Sequence, residues 1–226
     1  MASITVIPEE QAKLRSISSS LDTWFTSHGR TFPWRHQEST LFEKIVTEIL
    51  VQRTRAETVV LIYGAFFKRF PNWKSLDTAP IGEIQEYLKP IGIWRRRSFT
   101  LKSLSSEMLK LNGVFPSCRK EIDNLPGVGQ YVGNAIELFA HGKAMPLLDT
   151  NMARVIERVL KPRKLADIRY DPWLQAVCKE AVSIGNPVEI NWAFLDVGGT
   201  LCKPKNPNCQ ECPLSNNCSF HKRAQA

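Results

Sequence analysis

Between Leu125 and Val155 the chain breaks twice and runs helical twice: LPGVGQYVGNAIELFAHGKAMPLLDTNMARV. Pro126-Gly127-Val128-Gly129 joins the two strongest local breakers, and apolar residues at helical spacing, Val132, Ala135, Ile136 and Phe139, follow at once. That order dictates a tight hairpin opening a helix. The first N–H groups of such a helix have no intrahelical partner, and glycines without Cβ let a ligand backbone come close. An anion such as a phosphate suits the place. The helix stops at His141-Gly142, and Asp149 precedes a second periodic run through Met152, Val155, Ile156, Val159 and Leu160. A carboxylate is thereby expected near the phosphate-gripping turn. Neither feature is diagnostic alone: Gly-x-Gly turns open helices in many folds, and an Asp ahead of a helix serves as an N-cap.

The tail adds an independent constraint. Four of the six cysteines stand as Cys202-x6-Cys209-x2-Cys212-x5-Cys218, too crowded for a disulfide framework. Thiolates so close in sequence can close around one centre and staple a tail that has little apolar content. Zinc and an iron–sulfur cluster both accept four thiolates, and the spacing leaves both open. Cys118 and Cys178 sit in helical contexts and are expected as buried small hydrophobes.

The rest of the chain is punctuated by Pro and Gly. Residues 1–20 read as an irregular lead into a helix carrying Leu21, Trp24 and Phe25 and ended by Gly29. Arg30-Thr31-Phe32-Pro33-Trp34-Arg35 is a basic and aromatic loop in which Pro33 forbids a continuing helix; its plainest role is a packed turn. Leu41, Phe42, Ile45, Val46, Ile49 and Leu50 form a strong amphipathic stripe. Glu48 lies off that stripe, so spacing alone makes it a solvated residue with Lys44 as its i−4 neighbour. Helices are expected over 61–70, 81–88, through 101–109, over 117–124 and 172–184, and over 192–197. Ile91-Gly92-Ile93-Trp94-Arg95-Arg96-Arg97 repeats loosely the theme of a glycine turn opening a helix, with arginines able to grip phosphates or stack on a base, although a charge run is commonly a solvated face. No segment alternates strictly, so the expected class is all-α.

At 226 residues and 43% hydrophobic, the chain can bury one sizeable core or two small ones. The net charge of +8 and pI near 9.3 suit a polyanionic partner. No run of eighteen apolar residues occurs, and the first residues lack the basic-then-apolar build of a signal peptide. The expectation is a soluble intracellular protein, cytoplasmic if prokaryotic, with no membrane partner.

The hairpin Leu125-Pro126-Gly127-Val128-Gly129, Asp149-x-Asn151 before a helix, and the Cys-x6-Cys-x2-Cys-x5-Cys tail, in that order, resemble the endonuclease III-type helix-hairpin-helix DNA glycosylases, which carry a [4Fe-4S] cluster. The resemblance runs from about Trp24 to Phe220. It implies two helical domains with a DNA-binding cleft between them: a six-helix barrel domain with the hairpin over 36–144, and a cluster domain from 1–35 plus 145–226 with its cluster loop at 202–218. It also settles the metal question in favour of the cluster, held by Cys202, Cys209, Cys212 and Cys218, and implies DNA contacts from Gly127, Val128 and Gly129.

Such enzymes flip the nucleotide out of the duplex. Charge then builds on the sugar as the C1′–N bond breaks, and a carboxylate can stabilise it and position water. The resemblance assigns that role to Asp149. Lyase-competent relatives carry a lysine in the hairpin helix; here Tyr131 takes its place and Lys143 does not match, which implies hydrolysis with little or no lyase step.

The motifs Arg30-x-Phe32-Pro33-Trp34-Arg35 and Thr47-Glu48-Ile49-Leu50-Val51-Gln52-Arg53-Thr54 are similar to the branch holding the adenine and the thymine (G/T mismatch) glycosylases, in which the glutamate matching Glu48 enters the base pocket. Arg53, where adenine glycosylases show a glutamine, and a chain that stops eight residues after Cys218 lean towards the thymine enzymes. The expected partner is double-stranded DNA with a mismatch, bound by a monomer, with thymine or uracil opposite guanine removed. Gln52 and Arg53 are candidates for reading the widowed guanine, and Trp34 and Arg95 for further DNA contact. The rival readings are an adenine glycosylase acting opposite 8-oxoguanine or guanine and a non-catalytic damage-binding module.

Overall fold

The computed structural model describes residues 5–225, and among them there is helix and turn but no strand. The expected all-α class holds. The chain forms two compact units: one takes the chain up to Arg30 together with everything from Lys143 onward, and the other takes Thr31–Gly142. The first four residues and Ala226, which the expected cluster domain includes, lie outside the described residues.

The discontinuous unit begins with α1 (Pro8–His28), and here the expected irregular lead is corrected. Pro8 stands at the first helical position with Glu9 and Glu10 behind it, a start signal that the serine-rich run Ser16–Ser20 obscures. Leu14, Ile17 and Leu21 are fully buried along one face, each contributing roughly 2 kcal/mol relative to exposure.

The Thr31–Gly142 unit carries α2 (Leu41–Leu50), α3 (Ala56–Arg69), α4 (Trp73–Thr78), α5 (Ile81–Leu88), α6 (Trp94–Lys110), α7 (Arg119–Asp123) and α8 (Gln130–His141). Thr40 and Glu43 form a capping box on α2, and Asn72 with Ser75 does the same for α4, a helix the periodicity passed over because it is only six residues long. An aromatic core joins α2, α3 and α4: Phe42 meets Trp73 edge-on at 4.7 Å and Phe67 at 5.8 Å, while Phe66 and Phe70 lie 5.0 Å apart. Packing of α4 and α5 on α6, and of α2 on α8, closes the unit.

The chain then returns to the first unit for α9 (Thr150–Val159), α10 (Pro172–Val182), α11 (Pro187–Thr200) and α12 (Ser219–Gln225). α11 is longer than the expected 192–197 because Asn186 caps it and Pro187 opens it. Leu14, Ile17 and Leu21 share one core with Met152, Ile156, Leu174, Val177, Phe194 and Val197, and Cys202 and Cys218 form part of its edge. Cys178 is buried there as expected, whereas Cys118 is exposed just ahead of α7, where the helix has not yet begun.

Candidate functional site

The hairpin between α7 and α8 turns at Leu125–Gly129, where the Val128 N–H donates to the Leu125 carbonyl at 3.1 Å. Gly127 has φ +74°, and a Cβ there would lie 2.1 Å from Thr100 Cγ2. Glycine is therefore demanded twice, by the left-handed backbone and by the contact with α6. Gly129 caps α8 without a side chain, so the first turn of that helix has no side-chain cap of its own. One guanidinium fastens the two helices: Arg119 donates to Asp123 Oδ1 at 2.8 Å, to Asn134 Oδ1 at 2.6 Å and to Glu137 Oε2 at 2.8 Å. Gly127→Ala is expected to lower Tm by several degrees through ~1–2 kcal/mol of backbone cost plus the clash. Adding Thr100→Ser should recover only the clash, which paired thermal melts would show.

α2 and α8 bring Glu48 and Tyr131 together, the Tyr131 hydroxyl donating to Glu48 Oε2 at 2.8 Å. Glu48 is 5% exposed, which corrects the solvated-face reading. Periodicity reports a single apolar face, but seven of the ten residues of α2 are buried, so the helix is covered on more than one side. Trp34 is also 5% exposed, stacked on Phe32 at 4.7 Å and tilted against Tyr63 at 5.7 Å. A ring so covered holds the turn and offers no surface to a partner. Gln52 and Arg53 are exposed in the turn after α2, and Arg95 is exposed with its guanidinium 3.9 Å from the Trp94 ring centroid.

In the other unit, Asp149 is the N-cap of α9. Its Oδ1 accepts from the backbone N–H of Asn151 and of Met152, both at 2.8 Å, and its Oδ2 accepts from Asn151 Nδ2 at 2.7 Å. The capping role common to an Asp before a helix is therefore present. Burial nonetheless pushes its carboxyl above the usual carboxylate range, against the lowering effect of those hydrogen bonds and of Arg154. Asn191, fully buried on α11, holds the approach: its Oδ1 accepts from the Leu147 N–H at 2.6 Å and its Nδ2 donates to the Met145 carbonyl at 3.0 Å. Arg154, one turn into α9, donates to Asn151 Oδ1 at 2.8 Å, to the Gly198 carbonyl at 2.7 Å and to the Cys202 carbonyl at 2.6 Å. A chain of hydrogen bonds thus runs from Asp149 through Asn151 and Arg154 to the first cysteine of the tail. Sequence reasoning missed Asn151's partner and Arg154, because an Arg on an amphipathic helix reads as a solvated charge.

Cys202, Cys209, Cys212 and Cys218 line one cavity together with Arg158, Pro207 and Phe220. Burial, then the neighbouring thiolates of Cys202, Cys218 and Cys209, push the Cys212 thiol up to about 11. Four thiolates around one space repel one another unless a cationic centre sits among them, so the donor set fits a thiolate-bound cluster. Arg158 steadies the rim, donating to Cys202 Sγ at 3.3 Å and to the Lys203 carbonyl at 2.8 Å while lying 4.5 Å from the Phe220 ring centroid.

Residues 46–167 match the model of the HhH-GPD superfamily base excision DNA repair proteins, and residues 202–218 match the iron-sulfur binding domain of endonuclease III. The chain is 34% identical to the thymine/uracil-DNA glycosylase of Pyrobaculum aerophilum over 89% of this chain and 90% of that protein. It is 30% identical to the adenine DNA glycosylase of Buchnera aphidicola subsp. Baizongia pistaciae over 88% of this chain but 56% of that protein. A solved thermostable thymine-DNA glycosylase superposes with a TM-score of 0.85 at 30% identity, covering 94% of this chain and 98% of the other. The protein carries a [4Fe-4S] cluster. Among the described residues no helix is long and apolar enough to cross a membrane.

Proposed function

The chain belongs to the HhH-GPD superfamily of base excision DNA repair proteins, and from that membership we propose that this DNA glycosylase removes thymine, and uracil, mispaired with guanine, by hydrolysis and as a monomer. The likeness to a thymine/uracil-DNA glycosylase at 34% identity supports the choice of base, together with the TM-score of 0.85 to a solved thymine-DNA glycosylase.

The residues have distinct tasks in this reading. Gly127, Val128 and Gly129 grip a backbone phosphate at the start of α8, and Arg95 adds charge. Once the nucleotide is extruded, Asp149 as carboxylate stabilises the positive charge that grows on the sugar and orients water. Its protonated form cannot do this. Glu48, held by the Tyr131 hydroxyl, hydrogen-bonds the leaving base and eases its departure. Tyr131 also stands where a lysine nucleophile would open a Schiff-base route, and a phenol does not form an imine. Cys202, Cys209, Cys212 and Cys218 hold the cluster, whose iron supplies the Lewis acidity that lets four thiolates share one space and so pins the tail. Extruding a base costs about a few kcal/mol and least when it is mispaired, which supplies part of the selectivity.

The test is single-turnover excision on labelled duplexes carrying T/G, U/G, A/G, A/8-oxoguanine and matched T/A, with and without alkali. Strand breaks at T/G and U/G that need alkali are the expected result. Excision confined to the adenine mismatches would replace this reading with the adenine one. A high yield of borohydride-trapped covalent complex would remove the purely hydrolytic claim.

A further inference from the structure

Two loops of the Thr31–Gly142 unit, 51–54 and 91–93, hold backbone that L-residues avoid. Arg53 has φ +57°, Ile93 has φ +49° and Gly92 has φ +70°. For a β-branched residue the left-handed region is an outlier, and such strain persists only where the surroundings over-determine it. Ile93 is also 49% exposed, so its own packing does not hold it there.

The determinant is Arg97, a residue on α6 that is only 5% exposed. Its Nη1 donates to the carbonyls of Ile91 at 2.8 Å and Gly92 at 2.6 Å. Its Nη2 donates to the Gln52 carbonyl at 2.5 Å and to Thr54 Oγ1 at 2.6 Å. Thr54 Oγ1 in turn donates to the Ile91 carbonyl at 3.1 Å, and the Thr54 N–H closes the turn on the Val51 carbonyl at 3.1 Å. Among the described residues no carboxylate pairs with this buried cation. Burying an unpaired charge is costly, and here the compensation is four hydrogen bonds to the two loops. The planar fork is what permits it: one edge serves each loop, which a lysine's point charge cannot do.

We infer that Arg97 is a positioning residue that locks the 51–54 and 91–93 loops into one rigid edge, presenting Gln52, Arg53 and Ile93 together to the DNA. This rests on the reading of the chain as a mismatch glycosylase. The edge explains why both loops keep an unfavourable backbone: each exposed side chain is aimed by it, and rigid presentation lowers the ordering cost on binding.

The experiment is a double-mutant cycle in the full-length, cluster-bearing protein, read as affinity for duplexes with a tetrahydrofuran abasic site opposite guanine or adenine. Arg97→Lys should weaken binding to the guanine duplex about tenfold and narrow the preference for guanine over adenine. In a Gln52→Ala/Arg53→Gly/Ile93→Gly background, glycine takes positive φ unaided at 53 and 93 and none of the three side chains remains to be aimed. There the same Arg97→Lys change should alter affinity less than about twofold. An equal loss in both backgrounds would overturn the inference and make Arg97 a general support of the fold. If Arg97→Lys does not fold, Thr54→Val removes one Nη2 acceptor and the link to Ile91, and the same cycle applies with the same two outcomes. Because affinity for an abasic duplex needs no turnover, a protein inactive on T/G would sink the substrate reading while this cycle still decides the role of Arg97.

Discussion

Asp149→Asn should reduce single-turnover excision of thymine from a T/G duplex by about 10³-fold or more while leaving duplex binding intact. The substitution keeps an oxygen to cap α9, so the helix start survives, and it removes only the charge. Two pH signatures follow from the raised carboxyl. Activity needs the carboxylate, so the wild-type rate should fall as pH drops through a value above the ordinary carboxylate range. Stability runs the other way. A group that binds its proton more tightly folded than unfolded stabilises the fold below the unfolded pKa, and that contribution is lost as pH rises through the folded pKa. Thermal melts across that window should therefore show wild type losing stability relative to Asp149→Asn as pH rises. A flat difference between the two proteins would mean that the carboxyl titrates normally and that burial does not tune it.

Cys212→Ser should cost a large part of the stability of the unit that contains α1 and α9–α12. Structural metal binding contributes on the order of 10 kcal/mol, comparable to the whole stability of a domain. Two arginines also lean on the tail: Arg154 on the Cys202 carbonyl, and Arg158 on Cys202 and Lys203. Loosening the tail takes away the anchor that holds Asn151 against Asp149. Hydrogen exchange should accelerate throughout α9–α12 and in α1, with a smaller change in α2–α8, and the visible absorption of the cluster should be lost. A variant without cluster absorption that keeps wild-type exchange in α9 would show that the tail is an appendage.

How far the chain could be read without coordinates depends on the range over which a residue's consequences act. Gly127, Gly142 and the cap at Asp149 announce themselves because turn backbone and helix starts are set by the residue itself and its neighbours within a turn. The bounds of α5 at Ile81–Leu88 follow from the same local logic, and α1 was obscured only by a serine run over a buried stripe. The four cysteines of the tail carry their meaning in their spacing.

Burial and pairing between distant residues were decided elsewhere. Glu48 is buried against Tyr131, 83 residues away, and Trp34 is covered by Phe32 and Tyr63, because several helices pack around α2 and α3 and periodicity along one helix cannot count them. Arg97 reads as one of three solvated arginines until the fold brings the Gln52 carbonyl, 45 residues distant, to its guanidinium. Arg154 likewise acquires its role only when Cys202 arrives, 48 residues on. The sequence by itself determined the all-helical class, the hairpin turn, the cap at Asp149 and the thiolate set, since each follows from conformational preference or ligand chemistry over a few residues. Tertiary structure alone decided which charges are buried and what they hold, because desolvation and hydrogen bonding depend on groups that meet only when the chain is folded.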